Sequence, residues 1–478
     1  MSVRERARGP GSAAPEDRPG SYARLHEADR HPAGPRGPLR PRDLDALADS
    51  AWWSGHVDES VSVRLRAHAA HVAEGDWRGA GRTAWWLHQA YGRLGRPVAS
   101  AGWLHRARHH LEGRPDCPEQ CLLALTDIAE AEARHDPAAA LAAARRMHRL
   151  AARSGGPGLL ALSRQAEGAL LLAWGRRAEG LALLDAAMGS VARGEPSATT
   201  TGLLYRLTLD TCRGAAEFGR WVEWTRAAMT WCAAAPNPFR APCRLHHVEV
   251  LDLLGDWARA EEEARLVCQE ALEDALDATA AASYAMGEVQ RRQGRLDEAA
   301  RSYARAYGLG RVPQPGLALL RLAQGRADAA LAGLLLALDC QSDPSHDVLG
   351  RARLLAALVE VRLAVGGPGA AEGAVVELEA LASARGVPLL AAMAATARGA
   401  CTRGAGAREP LRRGLALWRG LGIPYEQART LTLLAAAERA AGDTGSARHA
   451  LTAAHATFAH LGATERAAGT PTTTWSAP

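Results

Sequence analysis

Lysine is missing from all 478 residues, isoleucine occurs only at Ile128 and Ile423, and asparagine only at Asn237. Without lysine there is no phosphate-loop lysine, no Schiff-base nucleophile and no kinase-type ATP contact. The matching excess of alanine, arginine, leucine and glycine reads as GC-rich coding sequence, not as function. Other absences close further routes. There is no Gly-x-Ser-x-Gly elbow, no His-Glu-x-x-His and no pair of carboxylates isolated in apolar sequence. We therefore expect a protein that is not an enzyme and uses no cofactor. No apolar run approaches the roughly 18 residues of a membrane span. Arg4, Arg6 and Arg8 precede no apolar stretch of the kind a secretory leader needs. The expectation is a cytoplasmic protein without a membrane partner.

Eight cysteines, at 117, 121, 212, 232, 243, 268, 340 and 401, are scattered through helical sequence. They read as free, mostly buried thiols in a reducing compartment. Cys117 and Cys121 fall on one helix face, and Cys243 lies near His246 and His247. Neither group has a second pair at zinc-site spacing, so no metal site is expected. His105, His109 and His110 fall on an arginine-rich helix and read as solvated. The formal charge of +5 is uneven: residues 1–42 hold nine arginines against five acids, and the other 48 arginines face 47 acids. The body is close to neutral, without the concentrated basic face of a nucleic-acid-binding domain. Sequence-specific nucleic-acid binding by this chain alone is not expected.

What the chain does have is a repeat. Gly294 is followed five, nine and twelve residues on by Ala299, Tyr303 and Ala306. The same spacing joins Gly255 to Ala260, Ala264 and Val267, Gly325 to Ala330, Leu334 and Ala337, and Gly442 to Ala447, Leu451 and Ala454. Weaker copies start at Gly95, Gly175, Gly219, Gly366 and Gly406, and one at His135 lacks the glycine. Successive intervals from residue 95 are 40, 40, 44, 36, 39, 31, 41, 40 and 36. A glycine can end a helix in the left-handed conformation at little steric cost, and the small residues that follow let two antiparallel helices approach closely. One such hairpin cannot bury its apolar stripe alone, so neighbours stack.

The pattern resembles the tetratricopeptide repeat, with a longer period than the usual unit. It predicts an all-α chain, an α-solenoid of about eleven hairpins wound as a right-handed superhelix. Second helices are expected near residues 57, 97, 136, 176, 220, 257, 296, 327, 368, 407 and 444. Residues 1–41, with seven prolines and five glycines, are expected to be a disordered arm. The array should run over 42–462, and 463–478 should be a disordered tail rich in threonine and proline.

A second resemblance is more specific. Pro313-Gln314-Pro315-Gly316 and the run to Arg326, preceded by Gly287-Glu288 with Arg291, Arg292, Gln293 and Gly294, is similar to the repeat region of LuxR-type transcriptional regulators from high-GC bacteria. Leu47–Ser54, Gly255-Asp256-Trp257 with Ala260 and Glu261, and Tyr425–Gly462 extend the likeness over nearly all of 42–462. It implies a regulatory repeat region that binds a protein, a peptide or a small ligand. Such regulators continue past the equivalent of Leu461-Gly462-Ala463 into a helix-turn-helix whose second helix reads the major groove. Only sixteen residues follow Gly462 here. The expectation is therefore a sensor or adaptor without its DNA-reading element, with a truncated or split regulator and a general assembly scaffold as the other readings.

Six of the thirteen tryptophans lie between residues 52 and 103. Most should fill gaps between helices. First helices of solenoid hairpins face the inner surface, where such proteins bind. Trp53, Trp86, Tyr205, Arg206 and His246 are the candidate partner-binding residues on that face, with Tyr91 beside them.

Overall fold

A computed structural model describes residues 18–31, 38–154, 156–234, 237–270, 276–341 and 345–463. Among them are 23 α-helices, one short 3-10 helix and no strand. In chain order they are α1 (Arg18–Arg30), α2 (Pro41–Trp53), α3 (Val57–Ala73), α4 (Trp77–Arg93), α5 (Pro97–Leu111), α6 (Gln120–Ala133), α7 (Pro137–Ser154) and α8 (Pro157–Ala173). There follow α9 (Arg177–Ala192), α10 (Ala198–Gly214), α11 (Phe218–Ala233), α12 (Arg240–Leu254), α13 (Trp257–Glu270), α14 (Leu276–Arg292), α15 (Leu296–Gly308) and α16 (Gly316–Ala323). The last are α17 (Ala327–Asp339), α18 (Val348–Gly366), α19 (Pro368–Arg385), α20 (Pro388–Cys401), α21 (Arg408–Leu421), α22 (Pro424–Ala440) and α23 (Thr444–Leu461), with the 3-10 turn Gly404–Ala407 before α21. From α2 onward they make eleven hairpins, and every second helix begins within two residues of its expected start. The chain is all-α, a tetratricopeptide-like α-solenoid by class.

The glycine template works as its physics requires. Gly95, Gly175, Gly255, Gly294, Gly325 and Gly442 all have positive φ. Ala260, Ala264, Val267, Ala299, Tyr303, Ala306, Ala330 and Leu334 are buried at the positions that follow. Where the glycine is missing, His135 itself takes φ 55°, and Ala140, Ala144 and Met147 are buried behind it. At two weaker copies the left-handed residue is Gly367 and Gly404 and not Gly366 and Gly406, although Ala371, Val375, Leu411 and Leu415 are buried where the template expects. One register differs from expectation by more. The left-handed residue of the fifth hairpin is Ala216, at φ 61°, and not Gly219, which lies inside α11. Counted from Ala216, the template positions are Trp221, Thr225 and Ala228, all buried. The irregular 44 and 36 residue intervals then become 41 and 39. A glycine nearby had masked an alanine that accepts the strained conformation because the helices on both sides over-determine it.

Part of the expected disordered arm is also corrected. Residues 18–30 form α1, whose Tyr22 and Leu25 pack on the cluster of Leu44, Leu47, Ala48 and Val63. The Tyr22 hydroxyl donates to Glu59 at 2.5 Å and Arg66 donates to Asp29 at 2.7 Å. The segment has too little apolar surface to fold on its own, and α2 and α3 supply what it lacks. Residues 1–17 and 32–37 of the arm, and the tail from residue 464 on, lie outside the described residues.

Contacts divide the chain into two units. The first contains the residues up to Thr208 together with Ala228–Arg240; the second contains Leu209–Ala227, Ala241–Ala271 and the residues from Leu276 on. Within the second unit the stack closes on itself. Trp257 of α13 meets Tyr425 of α22 at 5.6 Å between ring centroids, in a core with Leu251, Val289, Leu434, Phe458 and Leu461. Gly255, at φ 83°, sits so close beneath this contact that a Cβ there would lie 2.6 Å from Leu461 and 2.9 Å from Pro424. The turn therefore needs glycine both for its conformation and for its clearance.

The proline-glycine segment before α16 has a comparable reason. A Cβ on Gly316 would stand 1.9 Å from the Glu288 carboxylate and 2.5 Å from the Tyr303 hydroxyl. Glycine here lets α16 close over a buried Tyr303–Glu288 hydrogen bond of 2.6 Å.

Candidate binding surface on the first helices

In the first unit the C-terminal end of α2 carries Trp52 and Trp53 side by side. Trp53 is buried, with 7% of its surface exposed, and Trp52 is half-buried. Around them the structure assembles rings from distant sequence. Phe239 meets Trp52 edge-on at 5.4 Å and Trp53 at 6.2 Å, and Trp231 meets Trp53 at 6.4 Å. Tyr205 of α10 stands 5.6 Å from Trp231, and Trp86 of α4 stands 6.1 Å from Trp52. Phe239 fits only because residue 202 is glycine, where a Cβ would lie 2.1 Å from its ring. Edge-to-face rings at these separations add about 0.5–1.5 kcal/mol per pair to their burial.

Two guanidinium groups join this cluster. Arg93, at the end of α4, lies over the Trp52 ring at 5.5 Å, and Arg64 of α3 lies over Trp86 at 5.3 Å. Arg64 donates to Asp49 at 2.6 Å. Arg93 has no carboxylate partner among the described residues, although solvent reaches it. The surrounding protein, with Arg206 and then Arg64 nearby, brings its pKa down to about 10. A cation so placed favours an anion, and the half-buried indoles beside it offer flat apolar contact.

Of the five residues named from sequence, Trp53, Trp86, Tyr205 and Arg206 lie in this unit. Trp53 and Tyr205 belong to its buried aromatic cluster, while Trp86 and Arg206 are half-buried and reachable. His246 is in the second unit and is held in its packing: it accepts from the Trp221 indole at 3.2 Å and its Nε2 meets Asp210 at 3.1 Å. Tyr91 is half-buried on α4. Sequence reasoning missed Trp52, Arg64, Arg93, Trp231 and Phe239 as members of the surface. Arg93 had a legible signal, since it stands seven residues after Trp86 and so shares its helix face.

The first helices of the second unit are furnished differently, with paired charges. Arg213 donates to Glu249 at 2.9 Å, and Arg353 reaches the same carboxylate at 3.4 Å. Arg291 donates to Glu288 at 3.1 Å, Arg292 pairs with Asp252 and Glu288, and Arg429 donates to Glu360 at 2.6 Å. Burial pushes the Glu288 carboxyl up, but Arg291 and Arg292 outweigh it and hold the pKa near about 2. Glu249 behaves in the same way between Arg213 and Arg353.

The tempting metal groups resolve into packing. Cys117 and Cys121 are buried free thiols, and burial pushes Cys121 up to about 12. Cys243 is buried beside the held His246. Among the described residues no three His, Cys, Asp or Glu side chains are grouped to hold a metal ion. His110 is not the solvated residue its sequence setting implied: it is half-buried, and its Nε2 meets that of His68 at 3.3 Å. No helix among the described residues is long and apolar enough to cross a membrane.

No protein-family model matches this chain, and no curated protein does. Solved structures give a distant likeness. The human IFIT1 dimer with m7Gppp-AAAA has 12% identity and a TM-score of 0.42, over 94% of this chain and 96% of that one. A monomeric mutant of IFIT1 with Gppp-AAAA has 12% identity and a TM-score of 0.32, over the same shares of the two chains. Similarity at this level says nothing about what this chain binds.

Proposed function

We propose that this protein is a non-catalytic helical-repeat sensor or adaptor, acting in the cytoplasm, that captures a protein, a peptide or a small ligand. Trp86 and Arg206, with Trp53 and Tyr205 behind them, form its working surface. The observation that carries this reading is the meeting of Arg93 and Arg64 with the half-buried indoles of Trp52 and Trp86 on first helices of the first unit. Regulation of transcription is the finer reading, and it rests on the likeness of residues 42–462 to LuxR-type repeat regions. On that reading the repeat region responds to a signal.

The test compares wild type with a Trp86→Ala, Arg206→Ala double variant. Both are used to capture partners from a lysate of the native host, and both are melted. The expected result is a specific partner lost by the variant at a nearly unchanged Tm. Retention of every partner by a folded variant would place the activity elsewhere. A sequence-specific footprint on duplex DNA by the chain alone would contradict the expectation that the repeats themselves do not read sequence.

A further inference from the structure

Helix α17, in the second unit, is apolar on every side and yet meets solvent. The run from Ala329 to Leu338, between Asp328 and Asp339, holds only alanine, leucine and glycine. Ala330 and Leu334 are buried against the fold, while Ala329 and Ala332 are exposed and Leu335 and Leu336 are 42% and 64% exposed. The second helices before and after it differ: α15 exposes Arg301 and Arg305, and α19 exposes Glu372 and Glu377. A helix without a polar face is ordinarily covered.

Shape and charge say what covers this one. Arg321, Arg326, Ala329, Ala332, Gly333 and Leu336 line an open hollow of about 400 Å³. The helix thus carries a hole, where its side chains are small, and in Leu336 an exposed knob beside it. A two-fold axis across α17 between Ala332 and Gly333 sets Leu336 of each copy opposite Ala329 of the other. The same operation sets exposed Asp339 opposite exposed Arg326. It also lays the N-terminus of each helix beside the C-terminus of the other, as their dipoles prefer. A parallel pairing would oppose Asp339 to Asp339. The flanking charges are of both signs and form no basic rim, so the face does not suit an anionic lipid surface.

We propose that α17 is a self-association face, on which a second copy of this chain packs antiparallel about that axis. Leu336 of each copy enters the hollow of the other, and Arg326 of each pairs with Asp339 of the other. Every contact then occurs twice, as in any isologous interface. The face is separate from the aromatic surface of the first unit, and the pairing stands or falls independently of that reading. A 13-residue helix offers a strip roughly 20 Å long and 10 Å wide. That is small beside the roughly 800 Å² per partner of a standard interface, so the dimer is weak, with a Kd on the order of 10 μM.

Sedimentation velocity on the full chain, from about 1 to 100 μM, reads the association directly. Wild type should pass from the 50.5 kDa monomer to twice that mass. Leu336→Glu, at an exposed site, should keep the Tm and remain monomeric throughout. Asp339→Arg should weaken association by about tenfold, since the axis counts each charge pair twice. The swapped variant Arg326→Asp, Asp339→Arg should return it to within about twofold of wild type, and its new charges also suit the ends of α17. Ala332→Cys, with Cys340→Ser, should cross-link two copies on mild oxidation, because the central residues face one another. Exposed Cys340 should not cross-link, since antiparallel packing separates the two copies of it by about 20 Å along the helix.

A wild type that stays monomeric at the highest concentration overturns the proposal. So does a dimer that Leu336→Glu and Asp339→Arg both leave intact, which would lie on another face. Cross-linking through Cys340 and not through Ala332→Cys would refute the antiparallel arrangement. A monomeric wild type that loses a lysate partner on Leu336→Glu would give the face to a different protein and end the self-association reading.

Discussion

The two units furnish the first helices of their hairpins in opposite ways. The first unit sets Arg64, which pairs with Asp49, over the Trp86 ring and Arg93 over the Trp52 ring. The second interleaves five arginines with Glu249, Asp252, Glu288 and Glu360 until each cation has a partner. The repeat template explains how both can exist in one array. It constrains the glycine turn and three positions on the second helix, which pack hairpin on hairpin. Positions on the first helix are outside it and are free to differ between the units.

The comparison breaks most readily at the buried charges. Glu288→Ala removes the carboxylate shared by Arg291, Arg292 and Tyr303, and should cost about 3–5 kcal/mol because it strands buried guanidinium groups. Urea unfolding followed by circular dichroism would measure it. A loss below about 1 kcal/mol would mean the second unit's charges are as loosely coupled as the first unit's. Trp257→Ala, at the closure of the second unit, should cost a similar 3–5 kcal/mol, whereas half-buried Trp86→Ala should cost clearly less. Equal losses would return Trp86 to the core. Leu334→Ala, in a fully buried template position, should cost about 2–5 kcal/mol, and unchanged stability would refute the register drawn from Gly325.

A smaller effect separates two histidines on α3. His71 is buried between Asp45 and Asp76, 2.9 Å from each. Burial lowers its pKa, but the hydrogen bond and charge of Asp45, with Asp76, raise it above the usual 6.5 overall. Its contribution should therefore be complete below pH 6.5 and fade as pH rises through the folded value. His68 has the opposite sign: burial, with His110 and Arg106, brings it down to about 4, so its environment costs stability as pH falls from 6.5 toward 4. Urea midpoints between pH 4 and 8 should show His71→Asn flattening the upper limb and His68→Asn the lower one. Exchange of these two effects would show that the burial and pairing assigned to them are wrong. The smallest expected change is at Arg93. Arg93→Gln should alter stability by no more than about 0.5 kcal/mol, and a large loss would make it a structural residue like Arg292.

Much of the fold was legible because its signals are local. A glycine that takes positive φ and small residues five and nine positions later act within one turn and one helix, so Gly294 with Ala299 and Tyr303 could be placed without knowing any neighbour. The same reasoning failed where the signal was not chemical. Ala216 takes the left-handed conformation that Gly219 seemed to offer, and α1 forms because α2 and α3 stand beside it. The candidate site was half legible. Large aromatics near arginines marked Trp53, Trp86, Tyr205 and Arg206, but nothing local told buried Trp53 from reachable Trp86 or showed that His246 would be held by Asp210 and Trp221.

By itself, then, the sequence determined the class of fold, the phase of the hairpins and the absence of lysine chemistry, since each depends on residue type and on spacing within a helix or a turn. Only the tertiary structure decided which charges are answered. Arg353 meets Glu249 across 104 residues of chain and Arg429 meets Glu360 across 69, while Arg93 meets no carboxylate among the described residues. Such pairings follow from the small rotation each hairpin adds to the last, summed along a unit until the stack curves back on itself. No window of sequence contains that sum.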